Sequence, residues 1–105
     1  MNVLLWCDDL MTRTRLESAW KNAGVTMLKK TSTEIPDCIA IDLGAREAIA
    51  HITRLRASHP QTDIIAFGPH MDSDAFKAAK EAGASELAAR SSIVERVTRR
   101  LPQAD

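Results

Sequence analysis

A short apolar segment that ends on a carboxylate constrains the fold of this chain most strongly. Residues 38–43 read Cys-Ile-Ala-Ile-Asp-Leu, and an amphipathic pattern follows directly. A strand buried on both faces of a parallel sheet has a continuous apolar sequence rather than an alternating one. In open α/β sheets, functional groups lie just beyond the carboxyl ends of such strands. We therefore interpret the segment as the central strand of a parallel sheet, with Asp42 at its functional end.

The remaining apolar runs alternate with helical patterns along the chain. Further strands are predicted at 3–7, 25–28, 62–67 and 87–89, and helices are predicted from the apolar spacing within 16–23, 46–58, 75–82 and 93–101. Asp72 or Ser73 is predicted to cap the third of these helices, and Ser92 and Glu95 have the spacing of a capping box. This alternation predicts an α/β, flavodoxin-like, doubly wound sandwich. Its five-stranded parallel sheet would have the order 2-1-3-4-5.

The connection between the second and third strands is unusually short. Residues 29–37 form a polar connector that contains Pro36. A parallel crossover normally needs a dozen or more residues, and nine helical residues would reach only ~13 Å, against ~30 Å for an extended segment. We therefore expect the second helix of the fold to be missing or reduced. This loss should expose apolar sheet surface near the first and third strands, which suggests a homodimer or a protein partner there.

Composition limits the classes of function. The chain has 105 residues and equal numbers of basic and acidic residues, 14 each, so its formal net charge is zero. This balance argues against nucleic acid or an anionic membrane as the main ligand. The length predicts a single domain over 1–105, and the first residues resemble neither a signal peptide nor a membrane span. We expect a cytoplasmic protein.

Three carboxylates should meet at one edge of this sheet. Asp8 and Asp9 follow the first strand, Asp42 ends the third, and these strands are neighbours in the predicted order. Mg²⁺ prefers a site where several oxygen ligands lie close together, and a bound Mg²⁺ would neutralise the charge of an incoming phosphoryl group. In the other interpretation, Asp9 caps the first helix while Asp8 and Asp42 are solvated loop residues. Spacing alone leaves both interpretations open.

These features resemble the receiver domains of two-component response regulators, in particular the single-domain chemotaxis regulator. The similarity extends from Val3 to about Leu101, and its most specific parts are Val-Leu-Leu-Trp-Cys-Asp-Asp at 3–9, Ile-Ala-Ile-Asp at 39–42, Ala-Ala-Lys-Glu-Ala-Gly-Ala at 78–84 and the strand at 87–90. The resemblance implies that Asp42 is the phospho-acceptor. It also implies that Asp8 and Asp9, together with Asp42, bind Mg²⁺.

The chain departs from the family pattern at the relay end of the machinery. Gly68 stands where the family has Thr or Ser, and Leu87 stands where it has an aromatic switch residue. Arg90 replaces the family lysine; it keeps the positive charge and could pair with Asp42 as its counter-ion. The loop after Asp42 is also short. We therefore interpret Gly68 and Leu87 as degenerate switch positions in an atypical receiver.

The resemblance implies signal transduction through protein contacts, with a histidine kinase, a phosphotransfer protein or an output protein as partner. It implies no enzymatic turnover and no catalytic residues. One alternative is a phospho-independent pseudo-receiver that acts as an interaction or dimerisation module. Another is a phosphatase, because Cys7 and Arg13 have the Cys-x5-Arg spacing of low-molecular-weight tyrosine phosphatases. The two cysteines, Cys7 and Cys38, are expected to be buried and unbridged, and His70 is the histidine nearest the acidic end.

The two tryptophans, Trp6 and Trp20, are expected to be core residues, because each lies on the apolar side of its element.

Overall fold

The computed structural model describes residues 1–69 and 73–101, which contain one five-stranded parallel sheet. Its strands are β1 (Asn2–Trp6), β2 (Thr26–Leu28), β3 (Cys38–Asp42), β4 (Asp63–Gly68) and β5 (Glu86–Ala89). Their spatial order is β2-β1-β3-β4-β5, and all four pairings are parallel. The predicted flavodoxin-like order is therefore confirmed. No strand boundary differs from its predicted position by more than one residue.

The central strand has the burial that its sequence predicts. Every residue of β3 is buried, because helices cover both faces of the sheet at this position. The register pairs Val3 with Cys38 and Trp6 with Ile41. Cys7 therefore follows β1 at the level of Asp42, and the ends of β1 and β3 bring their next residues together.

Four helices flank the sheet in the described residues: α1 (Leu10–Asn22), α2 (Ala48–Ser58), α3 (Ser73–Ala82) and α4 (Ile93–Thr98). The sheet face that α1 and α4 cover carries one buried cluster, which includes Trp20, Phe67 and Val97. The cluster under α2 and α3 includes Ile52 and Ala79. No helix of the described residues is long and apolar enough to cross a membrane.

Two local predictions about helix caps meet different outcomes. The prediction of a capping box at the start of α4 is wrong, because Ser92 precedes the helix in a helical conformation and its side chain makes no capping hydrogen bond. Asp9, by contrast, caps α1. The cap predicted at Asp72 lies outside the described residues, and Ser73 is the first residue of α3.

The connector contains no helix, as its length predicts. The apolar sheet surface expected beside it is nevertheless not exposed, since Leu4 is only 7 % exposed and Ile39 is fully buried. The reason is local: the side chain of Trp6 packs against the cluster that contains Leu4 and Ile39. The ammonium of Lys30 lies 4.2 Å from the centroid of the Trp6 ring. Trp6 is thus half-buried rather than a core residue. The core position predicted for Trp20 is confirmed.

Cys7 and Cys38 are both free and fully buried, as expected. Burial raises the pKa of Cys7 to about 11 and that of Cys38 to about 12. Both side chains are therefore neutral thiols near pH 7 and pack as small apolar groups.

A single arginine of α2 ties together the turns at the amino ends of β4 and β5. The guanidinium of Arg56 donates to the carbonyls of His59, Pro60 and Thr62 in the turn before β4, at 3.0, 3.1 and 2.8 Å. It also donates to the Gly83 carbonyl at 3.0 Å and the Ser85 hydroxyl at 2.9 Å. Gly83 has φ +124°, and a Cβ there would lie 2.8 Å from Cγ of Arg56. Only glycine fits beside this arginine.

We expect Arg56→Met to lower the free energy of unfolding by about 2 to 3 kcal/mol, because it leaves several half-buried carbonyls without a donor. Urea denaturation measures this loss. Arg54→Met on the same helix is the matched control, since Arg54 is exposed and its guanidinium contacts the rings of His51 and Trp6 rather than the turn carbonyls. Equal losses in the two variants would contradict the clamping role of Arg56.

Candidate functional site

The candidate site is built around Asp42, whose side chain is buried at the carboxyl end of β3 and only 3 % exposed. Its Oδ1 accepts hydrogen bonds from the Gly44 amide at 2.8 Å and from Nη2 of Arg90 at 3.0 Å. Its Oδ2 faces the Cys7 thiol, which donates at 3.5 Å. A buried carboxylate needs such donors because burial removes its hydration. Three separate segments of the chain supply them.

Arg90 reaches this position because it follows β5 directly. Its backbone amide donates to the Gly68 carbonyl at 3.0 Å, which continues the pairing of β4 and β5 by one residue. Its side chain is 40 % exposed, so water partly screens the ion pair with Asp42. Nε of Arg90 is buried and has no hydrogen-bond partner among the residues that the structure describes. The guanidinium therefore keeps donors that Asp42 does not use.

Gly44 lets the chain pass close to this ion pair. A Cβ at this position would lie 3.2 Å from Oδ1 of Asp42 and 3.4 Å from Nη2 of Arg90. A side chain there would crowd the Asp42 carboxylate, whereas its distance to Arg90 is that of an ordinary contact. The sequence interpretation missed this role. A glycine two residues beyond a buried strand carboxylate is the signal that could have revealed it.

Asp8 and Asp9 have separate partners. Oδ2 of Asp8 accepts from the Arg46 amide at 2.7 Å and so holds the loop after β3. Oδ2 of Asp9 accepts from the Thr12 amide at 3.0 Å and also from the Thr12 hydroxyl. The hydrogen bond from that hydroxyl holds the pKa of Asp9 below its usual range. Asp9 therefore caps α1, as one of the two sequence interpretations predicted.

The three carboxylates have the right chemistry for Mg²⁺ but not the right arrangement. Within residues 1–69 and 73–101, no group of three or more His, Cys, Asp or Glu residues is placed to hold a metal ion. Asp9 points to the helix amide, Asp8 to the loop amide and Asp42 to Arg90. The residues as arranged therefore do not fit a bound metal. The other interpretation is wrong on one point, since Asp42 is buried rather than solvated.

The two positions interpreted as degenerate switch residues lie on β4 and β5, and the Gly68 carbonyl accepts from the Arg90 amide. Gly68 ends β4, and a Cβ there would lie 3.4 Å from Cβ of Leu43, an ordinary contact distance. A hydroxyl residue would thus fit sterically at a position where this chain has none. Leu87 is half-buried and packs against the cluster under α2 and α3. A cavity of about 170 Å³ lies between the loop after β3, Pro69 and Arg90.

The loop between Asp42 and α2 is tight. It consists of turns, and Glu47 at its end has φ 55°, a left-handed conformation that costs energy for a residue with a side chain. The hydrogen bond from the Arg46 amide to Asp8 helps to hold this loop. The sequence-predicted shortness of the loop and the role of Asp8 are therefore connected.

Cys7 and Arg13 do not form a phosphate-binding nucleophile site. The Cys7 thiol has its pKa raised to about 11 by burial and by the neighbouring Asp42, whereas a nucleophilic cysteine needs a lowered pKa. Arg13 lies on α1, where its guanidinium is 3.8 Å from the Glu17 carboxylate. The Cys7 pKa and the position of Arg13 therefore argue against the phosphatase alternative. His70 lies outside the described residues.

Removal of Arg90 alone should destabilise the chain more than removal of the whole ion pair. We expect Arg90→Met to lower the free energy of unfolding by about 1 to 2 kcal/mol, because Asp42 keeps a buried charge without its counter-ion. Adding Asp42→Asn should restore most of the loss. Urea denaturation of both single variants and the double variant measures the coupling. Additive losses would contradict a direct interaction.

Both cysteines should resist alkylation while the chain is folded. With pKa values of about 11 and 12, the thiols carry almost no thiolate at pH 7, and neither is exposed. Iodoacetamide followed by mass spectrometry should show no modification in buffer and two modifications in urea. Rapid labelling of native Cys7 at pH 7 would contradict the arrangement described above.

Comparison with known proteins relates the chain to receiver domains through structure and not through sequence. No protein-family model matches the chain, and no curated protein matches it significantly. Among solved structures, a response regulator from Thermotoga maritima is 20% identical at a TM-score of 0.74, covering 93% of this chain and 94% of the other. A CheY-like protein from Pseudomonas aeruginosa is 20% identical at 0.73, covering 97% and 99%.

A response regulator protein from Burkholderia pseudomallei, solved with a phosphorylated aspartic acid, a calcium ion and citrate, is 18% identical at a TM-score of 0.81. The match covers 97% of this chain and 66% of that one. Identities this low establish shared architecture rather than shared activity. The resemblance inferred from the strand motifs is confirmed at the level of structure: the chain has the CheY-like fold of response regulator receiver domains.

Proposed function

We propose that the chain is an atypical receiver module that acts in two-component-type signal transduction through protein contacts, with Asp42 as its phospho-acceptor. The observation that carries this proposal is the position of Asp42. A buried carboxylate at the carboxyl end of the central strand, paired with a cation that follows β5, is a functional arrangement in this fold. We propose that residues 1–105 act as one unit.

The described contacts support the chemistry of a phospho-acceptor. A carboxylate oxygen of Asp42 would attack the phosphorus of a phosphodonor, and the bond to the donor's leaving group would break. The new acyl phosphate would carry more negative charge than the carboxylate. Arg90 can meet that charge, because its guanidinium has donors beyond the one that bonds to Asp42, including the unpartnered Nε.

A second candidate is a pseudo-receiver whose contacts do not depend on phosphorylation. The arrangement of Asp8 and Asp9 favours it, because each carboxylate already accepts a hydrogen bond from a backbone amide. Gly68 and Leu87 also provide neither the hydroxyl nor the aromatic ring with which the family relays a signal. In this case the surfaces, including a homodimer contact, would carry the function.

We further propose a protein partner of the two-component class, a histidine kinase, a phosphotransfer protein or an output protein, and a cytoplasmic site of action. No turnover chemistry is proposed. Receiver domains commonly bind Mg²⁺ for phosphoryl transfer, and Asp8, Asp9 and Asp42 are the candidate ligands here. Asp8 and Asp9 each accept their hydrogen bonds on Oδ2, so an ion would have to bind the remaining oxygens or replace those bonds, and phosphorylation with Mg²⁺ or with EDTA tests this.

Incubation with phosphoramidate should attach one phosphoryl group to the intact chain, detected by mass spectrometry as an adduct that survives mild acid and is removed by base or hydroxylamine. Asp42→Asn should abolish the adduct, because the amide is a far weaker nucleophile than the carboxylate. Asp74→Asn is the matched control, since Asp74 is an exposed aspartate in the first turn of α3. Parallel reactions with Mg²⁺ and with EDTA show whether the step needs a metal.

The outcome separates the two candidates. An adduct that Asp42→Asn removes and Asp74→Asn retains supports the phospho-acceptor. Absence of any adduct, with or without Mg²⁺, contradicts phosphorylation of Asp42 by this donor class and leaves the pseudo-receiver. An adduct that persists in Asp42→Asn would contradict the assignment of the acceptor.

A further inference from the structure

A second concave site lies on the opposite side of β1 from the ion pair. It is a cleft of about 560 Å³ between α1 and the start of the connector, close to the carboxyl ends of β1 and β2. Met27 of β2 is half-buried and forms the apolar part of its floor together with Leu5 of β1, which lies on the same side of the sheet. This volume lies in the range of small-molecule sites. We call it the basic cleft, for the charges on its walls.

The walls carry a local excess of positive charge. Arg13 and Lys21 line the cleft from α1, and Lys29 and Lys30 line it from the connector. Among the described residues that line it, Glu17 is the one carboxylate, and it lies 3.8 Å from Arg13. Because the whole chain has no net charge, this excess is a property of the cleft and not of the composition.

Lys30 connects the cleft to the end of β1. Its ammonium lies over the ring of Trp6 at 4.2 Å from the centroid, and the guanidinium of Arg54 lies 5.1 Å away. The imidazole of His51 packs against the same indole, with 4.5 Å between ring centroids. Cations around an aromatic ring are attracted by its face but repel one another. An anion in the cleft would therefore draw Lys30 away from Trp6.

We propose that the basic cleft binds a small polyanion that carries an apolar ring, which is the chemistry of a nucleotide. The lysine ammoniums would contact the phosphates as point charges, and the ring would lie on Leu5 and Met27. Nothing in this site uses Asp42. The proposal is therefore independent of phosphorylation.

The probe is ATP, titrated in low-salt buffer with EDTA so that no divalent ion contributes. Binding is followed by Trp fluorescence and by calorimetry. We expect a saturable change, with Lys29→Gln/Lys30→Gln weakening the affinity by at least about tenfold, because two charge-assisted contacts are lost. Arg15→Gln/Lys77→Gln is the matched control: it removes two exposed cations that lie outside the cleft.

Further arms test each part of the proposal. Tripolyphosphate, which has the charge without the ring, should bind more weakly than ATP, and added salt should weaken both. Trp6→Phe should remove the fluorescence change but retain the heat of binding. Asp42→Asn should leave ATP binding unchanged, so failure here and failure of the phospho-acceptor assignment can be told apart.

Three results would overturn the proposal. These are the absence of saturable ATP binding at millimolar concentration, equal weakening by the two double variants, and equal affinity for tripolyphosphate and ATP. Circular dichroism of each variant verifies that the fold is retained.

Discussion

A carboxylate removed from water must be surrounded by donors, and the carboxyl edge of this sheet is arranged to meet that requirement for Asp42. The donors come from the end of β1, from the loop after β3 and from the residue after β5. These segments are far apart in the chain, and only the parallel order of the strands brings them together. The ion pair with Arg90 thus depends on the topology. The position of the Asp42 carboxylate, in turn, leaves little room for a side chain at residue 44, where the chain has glycine.

The chain uses its other acidic residues to shape this edge. Asp8 holds the loop that carries Gly44, and Asp9 fixes the first turn of α1. Each thereby satisfies backbone amides that would otherwise lack partners near the surface. The same residue types could gather around a metal ion in this fold. In the structure, Oδ2 of each accepts a hydrogen bond from a backbone amide and thereby organises the adjoining loop or helix.

Much of the fold follows from patterns that are local in the sequence. The continuous apolar run of β3 and the alternation with helices predict the sheet order, because burial on both faces leaves little choice of residues. The number of residues between Leu28 and Cys38 predicts the missing helix, because chain length limits reach. At the site, Asp42 is identifiable from the end of its strand, and Arg90 from the resemblance to receiver domains. Gly44 and Cys7 become visible as neighbours of Asp42 only once the register is known.

Predictions failed where two physically reasonable partners compete for one group. Ser92 has the spacing of a capping residue, yet it adopts a helical backbone in which its hydroxyl makes no capping bond. Trp6 has the sequence position of a core residue, but the absent helix leaves room for Lys30, Arg54 and His51 to cover it instead. Spacing alone cannot rank such alternatives, because their free energies differ by about 1 kcal/mol or less.

The hydrogen bonds of Arg56 make the amino ends of the strands harder to open than their carboxyl ends. Its hydrogen bonds join the turns that enter β4 and β5, so those turns can separate only if several bonds break together. At the carboxyl ends of the strands, the loops are held by the partly screened ion pair between Arg90 and Asp42 and by single hydrogen bonds such as that from the Arg46 amide to Asp8. Local fluctuations, and hence amide hydrogen exchange, should concentrate at the edge that carries Asp42. A change of charge there would be transmitted through the segments that are least costly to move.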